Sequence, residues 1–191
     1  MIKHLGTSLR VTIFSVILFG LIYPLVMTGL AQAIFPRQAN GSLVTVNGKV
    51  VGSAIIGQLW TKPQYFQGRP SAAGKGYDPT STGGTNFGPT SKKLIDSTKN
   101  TIAQLEKDNP GAGGPPPIDL VTSSGSGIDP DISPESAYWE APRVAKARHM
   151  SISAVNAIVA EHIQGRAFGL LGEPRVNVLE LNLALDGLKP Q

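Results

Sequence analysis

From Val11 to Pro36 the chain carries no charged side chain: "VTIFSVILFGLIYPLVMTGLAQAIFP". A bilayer core is crossed by about 20 apolar helical residues at ~1.5 Å each, so the run predicts a transmembrane helix over residues 11–35. After it the hydrophobic pattern shortens. Leu43–Val46 and Lys49–Val51 flank Asn47-Gly48, the dipeptide that favours a two-residue hairpin turn. Residues 61–90 have no period and are rich in Gly, Pro, Ser and Thr. They also contain Tyr65, Phe66, Tyr77 and Phe87, which predicts an ordered loop rather than a disordered linker.

Helical spacing returns over 91–108, with Leu94, Ile95, Thr98, Ile102 and Leu105 on one face and Asn109-Pro110 as the stop. Residues 111–117, "GAGGPPP", read as a flexible-to-stiff spacer. Ser133-Pro134-Glu135 opens a second helix as N-cap plus N1 proline, and Pro142 is expected to interrupt it. A third helix is expected over 151–164, with Ile152, Val155, Ile158, Val159 and Ile163 inward and Gly165 as its cap. In "RVNVLELNLALD", Val176 and Val178 are out of phase with Leu179, Leu181, Leu183 and Leu185. Either a bulged strand or a strand leading into another element accounts for the shift. The pattern gives an α+β class: a short N-terminus (1–10), a transmembrane helix (11–35) and a single α+β domain (36–191).

Charge orients the helix. Lys3, Arg10 and the α-amino group precede it, which favours a cytoplasmic N-terminus and an extracytoplasmic domain, although Arg37 follows directly. Ala31-Gln32-Ala33 has the form of a signal cleavage site, but the apolar run exceeds the ~7–15 residues of a signal h-region, which favours a retained anchor. Within the run, Pro24 should bend the helix. Gly29 and Ala33 form a small-xxx-small pair, beside the polar Thr12, Ser15, Thr28 and Gln32, of the kind that lets membrane helices pack closely. Membrane helices are also simply richer in Gly and Pro.

The 191 residues carry a formal charge of +4, with Lys and Arg scattered rather than striped, so no nucleic-acid surface is indicated. The absence of cysteine excludes disulfides, thiolate metal sites and cysteine nucleophiles.

Candidate chemistry fails on detail. "GGTNFGPTS" (83–91) has P-loop glycine spacing, but Pro89-Thr90 stands where Lys-Ser or Lys-Thr is needed, and proline offers neither N–H nor charge. Asp129, Asp131, Ser133 and Glu140 imitate a calcium loop, with Pro134 where a sharp-turning Gly is required. His4, His149 and His162 are dispersed; His162 is expected beside the third helix's apolar face. There is no G-x-S-x-G elbow and no D-K-T-G-T phosphorylation motif. The sequence thus assigns no catalytic and no metal residue.

Several long stretches together resemble the C subunit of the Kdp potassium-transporting ATPase: "YFQGRPSAAGKGYDPTSTGGTNFGPTSKKL", "IDLVTSSGSGIDPDISPESA", "PRVAKARHMS" and "GEPRVNVLELNLALD", behind one N-terminal membrane helix. The resemblance implies a non-catalytic accessory subunit of an ATP-driven potassium uptake complex in the cell inner membrane. Its partners would be a channel-like potassium-selecting subunit, a P-type ATPase subunit and a small helical subunit. It also implies a role in assembly and a proposed action as a catalytic chaperone that raises the ATPase subunit's affinity for nucleotide. No cofactor is assigned to this chain; ATP is used by the complex. The family's Ser-Gly-Gly stretch, likened to the ATP-contacting signature of ABC transporters, falls on Ser81, Gly83, Gly84, Thr85 and Asn86, with Thr82 interrupting it. Asp131 stands where the family more often has His.

Topology and direct nucleotide contact conflict, because an outward-facing domain meets little ATP. The expectation is therefore that the domain docks on the outer face of the potassium-selecting subunit and that the 81–91 loop is structural or docking. The Gly83-Gly84 pair further suggests left-handed backbone there. The alternatives are a membrane-anchored extracytoplasmic hydrolase and a binding protein secreted after Ala33.

Overall fold

A computed structural model describes residues 2–188; Met1 and residues 189–191, the end of the expected domain, lie outside the described residues. The chain divides into two compact units, meeting between Leu43 and Val44.

In the first unit α1 (Ile2–Ile17), a π-helical turn (Leu18–Ile22) and α2 (Tyr23–Ile34) follow without a break. His4–Ile34 forms a span of 31 residues containing an 18-residue stretch of mean hydropathy 2.2, long and apolar enough to cross a membrane. The helix begins well before the expected residue 11. Pro24 has no N–H, so the carbonyl four residues before it cannot receive the usual helical bond. The backbone adjusts one turn earlier, where the Tyr23 N–H reaches back to Leu18 O, a π-type bond. Past Phe35, α3 (Pro36–Ala39) closes the unit, and the Asn40 amide donates to Gln32 Oε1 (3.1 Å) and Pro36 O (2.7 Å).

The second unit opens with the expected hairpin, β1 (Leu43–Val46) and β2 (Lys49–Ser53). Asn47 and Gly48 both take left-handed φ, 50° and 75°, as a type I′ turn demands. Val44 and Val46 point inward against Leu179 and Leu183. After the irregular stretch come α4 (Lys92–Asp108) and α5 (Ile118–Val121), a short helix that the pattern did not reveal. Leu94, Thr98, Ile102 and Leu105 of α4 are half-buried, but Ile95 is exposed.

Next are β3 (Asp131–Ile132) and α6 (Pro134–Arg148), with the Ser136 N–H donating to the Ser133 side-chain cap. Contrary to expectation, α6 runs through Pro142 and ends at His149 in the left-handed conformation (φ 56°). The carbonyl that Pro142 leaves without its helical donor belongs to Tyr138, an exposed residue. The opposite face, including Ala137, Ala141 and Val144, is fully buried and holds the helix. The next helix, α7 (Ile152–Glu161), stops at His162 rather than Gly165, because Ile163–Gln164 form β4. β4 pairs with β5 (Arg175–Asn177), Ile163 opposite Val176, and β3 pairs on the other side, Ile132 opposite Val176, giving an antiparallel sheet of order β3-β5-β4. The phase shift in the C-terminal pattern is a strand giving way to a helix. The Asn177 side chain ends β5 and caps α8 (Val178–Leu185) by accepting the Glu180 N–H at 3.1 Å. The core gathers Phe66, Ile132, Val144, Val155, Val159, Val176 and Leu181.

Residues 63–67 thread this core without being a strand, and side chains hold them. The Arg143 guanidinium donates to Pro63 O (2.7 Å) and Tyr65 O (3.0 Å), and Arg148 Nε donates to Gln64 O (2.7 Å). Asn182 accepts the Phe66 N–H (2.8 Å) and donates to Phe66 O (2.9 Å). Glu140, fully buried, accepts the Gln67 N–H at 2.8 Å and pairs with Arg143. Burial pushes the Glu140 carboxyl above its usual range, opposed by the Arg143 charge and the Gln67 N–H. Replacing Arg143 by Met would leave Glu140 buried without its cation. The expected loss is about 3–5 kcal/mol of unfolding free energy in denaturant titrations, with the E140Q/R143M double variant less destabilised than R143M alone.

Candidate functional site

The strapped segment releases the chain at Gly68 into the long irregular region, which folds back on the 124–129 turn. Tyr77 is its centre. Its ring lies 2.4 Å from where a Cβ on Gly57 would be, and its hydroxyl oxygen 2.3 Å from where one on Gly68 would be, so both positions suit glycine. Its hydroxyl donates to Arg69 O (2.6 Å), and its N–H donates to Ser71 Oγ (2.8 Å), which in turn donates to Gly127 O. Burial, reinforced by Asp129 and opposed by Arg69, pushes the Tyr77 phenol up to about 12.

The five residues implied by the family resemblance lie on the rim of this platform. The Ser81 N–H donates to Asp78 O at 3.1 Å and the Gly83 N–H to Ser126 O at 2.8 Å. Thr85 and Asn86 are exposed. Left-handed backbone is found at Gly74, Gly76, Tyr77, Asn86 and Gly127, not at Gly83 or Gly84, which corrects the expectation for that pair. Close approach explains one of the two. A Cβ on Gly84 would stand 3.2 Å from Gly125 O, whereas one on Gly83 meets open space. Gly127 combines both demands, with φ 72° and a Cβ position 2.8 Å from Ala73 N.

A phosphate cradle needs several free N–H groups converging on one point. Here two of the loop's N–H groups turn inward, Ser81 to Asp78 O and Gly83 to Ser126 O, and the nearby Tyr77 N–H is taken by Ser71 Oγ. Beside the platform, a cleft of about 780 Å³ opens between residues 67–77 and α4, with Arg69, Lys75, Asn100 and Gln104 among its walls. The carboxylates of the calcium-like stretch are divided among separate partners. Asp129 binds Arg69 (3.1 Å), Asp131 binds Arg175 (3.0 Å) and Glu140 binds Arg143. Among the described residues no group of three or more acidic or histidine side chains could hold a metal ion. His162 caps α7, its Nδ1 2.8 Å from Ile158 O, and His149 ends α6. In the other unit Pro24, Gly29 and Ala33 lie on α2, and a Cβ on Gly29 would meet nothing within 4 Å.

Sequence reasoning passed over Arg143, Arg148 and Asn182 of the strap and met Glu140 only as part of the calcium-like stretch. A legible signal was present: Glu140 and Arg143, spaced i, i+3, stand among Ala137, Ala141, Val144 and Ala145 on one helix.

These features define a class: an α+β domain behind one potential membrane-spanning helix with, among the described residues, no arranged catalytic constellation. Residues 5–187 match the family model described as "KdpC: K+-transporting ATPase, c chain". Similar proteins, each named Potassium-transporting ATPase KdpC subunit, come from Acidobacterium capsulatum (55% identity, 96% of this chain and 98% of that one) and Koribacter versatilis (51%, 98% and 96%). A third is from Myxococcus xanthus (54%, 94% and 86%). The chain belongs to the KdpC family.

Two outcomes follow from the platform. In equilibrium unfolding, Gly83→Ala should stay within about 0.5 kcal/mol of wild type and Gly84→Val should cost roughly 1–3 kcal/mol. Gly127→Ala should be the most damaging of the three, since it combines strain with overlap. The second concerns pH. The folded state keeps the Tyr77 proton where an unfolded phenol, near 10.0, gives it up. Stability therefore falls as pH rises from 10 through 12, and Tyr77→Phe should flatten that fall relative to wild type.

Proposed function

We propose that the chain is the non-catalytic accessory subunit of an ATP-driven potassium uptake complex. Its N-terminal helix anchors it in the inner membrane, with Gly29 and Ala33 offered to a neighbouring helix. Its domain faces outward and docks on the channel-like potassium-selecting subunit, in an assembly completed by the P-type ATPase subunit and a small helical subunit. Any rise in the ATPase subunit's affinity for nucleotide is then an indirect effect of assembly. The observation that carries this reading is the Gly83 N–H bound to Ser126 O: the first glycine of the loop that would have to cradle phosphate directs its donor into the protein. Charge supports the orientation, since Lys3 and Arg10 precede the apolar run.

The test is a Gly83→Val/Gly84→Val double variant in the co-expressed complex. Potassium-dependent ATPase activity should fall in proportion to the amount of assembled complex, with the ATP concentration for half-maximal activity unchanged. Normal assembly with that concentration raised severalfold would establish direct nucleotide contact instead. A reporter fused after Gln191 should read out on the extracytoplasmic side; a cytoplasmic readout would overturn the orientation.

A further inference from the structure

The connection between β4 and β5, residues 165–174, is a closed finger. Ala167 and Leu171 exchange backbone bonds at 2.9 Å in both directions, the Leu170 N–H donates to Ala167 O and the Gly169 N–H to Arg166 O. Arg166 and Glu173 form an ion pair across its base (2.6 Å). At the tip the sequence Phe168-Gly169-Leu170-Leu171 is held outward: Phe168 is 94% exposed, Leu170 80% and Leu171 64%. Phe168 also sits at φ 54°, a left-handed conformation that a bulky aromatic residue adopts at a cost. Two penalties, apolar exposure and backbone strain, thus fall on one residue. Such strain is retained where a surrounding structure fixes it for use.

We infer that this finger is a docking element that inserts Phe168, Leu170 and Leu171 into an apolar recess on the extramembrane surface of a partner subunit of the ATPase complex. The assignment rests on the accessory-subunit reading above. Protein rather than lipid is indicated by the charge around the tip. Membrane-surface anchors surround their apolar residues with excess Lys and Arg, whereas here the flanking Arg166 is neutralised by Glu173 and Arg175 is paired with Asp131. An exposed aromatic side chain beside two leucines, flanked by paired charges, suits the apolar centre of a protein interface and its polar rim. The finger's own hydrogen bonds fix its shape before binding, which reduces the ordering cost of association.

The test uses the full chain in the co-expressed complex. Phe168→Asn, a residue that tolerates left-handed φ, combined with Leu171→Asn, should lower retention of the chain on tagged partner subunits by about tenfold or more. The thermal midpoint of the purified variant should equal or exceed that of wild type. A photoreactive residue at position 168 should crosslink to a partner subunit. Wild-type retention of the double variant, a lowered midpoint, or crosslinks to lipid or to another copy of this chain would each overturn the finger's role while leaving the accessory-subunit reading intact. Failure of the wild-type chain itself to co-purify with transporter subunits would remove that reading, and the finger's role with it.

Discussion

The buried pair of Glu140 and Arg143 is the constraint on which the domain depends. Phe66 occupies the centre of the core, yet the backbone that carries it is not part of any sheet. Buried peptide groups must still find partners. The carbonyls of Pro63 and Tyr65 are bonded by Arg143, and the Gln67 N–H is bonded by the carboxylate of Glu140. Asn182, reaching from α8, acts on Phe66 as a neighbouring strand would, accepting its N–H and donating to its carbonyl. Arg148 completes the strap at Gln64 and stacks over the Tyr65 ring at 5.0 Å. Two helices thereby supply, through side chains, what a sheet would supply through its ladder.

That fixed point sets the geometry of everything after it. Because Gly68 leaves the strap at a defined place, Tyr77 can close over Gly57 and Gly68, and the 124–129 turn can seat beneath Gly83 and Gly84. The result is a loop region ordered by inward hydrogen bonds. The N–H groups of Ser81 and Gly83 are held within it, while the apolar side chains that stand fully outside belong to another segment. The contrast with residues 165–174 is instructive. The platform packs its left-handed aromatic residue, Tyr77, against Gly57 and Gly68, while the finger leaves its own, Phe168, 94% exposed. A recognition role suits the second arrangement better than the first.

Part of this organisation was legible along the chain. The Asn47-Gly48 hairpin, the start of α6 at Ser133-Pro134 and the stop of α4 at Asn109 each rest on local rules and stand where those rules put them, while the apolar run lies inside a longer helix. Pro142 misled because the local rule that prolines break helices was outweighed by burial of the opposite face of α6, a tertiary effect. Gly165 misled for a related reason: pairing of Ile163 and Gln164 with β5 ended α7 three residues early. In the glycine-rich stretch composition marked the right region but the wrong backbone, because left-handed φ fell to Asn86 and Tyr77 while Gly84 answers to its neighbour Gly125.

By itself the sequence determined the long apolar helix, the α+β class, the family and the absence of cysteine chemistry, since each follows from composition, short-range pattern or long matched stretches. Only the tertiary structure decided which charges are buried, which glycines are obligatory and which apolar residues stand outside. Those outcomes depend on contacts between residues far apart in the chain: Glu140 with Gln67, Asn182 with Phe66, Gly127 with Ala73. A buried carboxylate and an exposed one are the same letter in a sequence, and only the partners brought to them by the fold make them different.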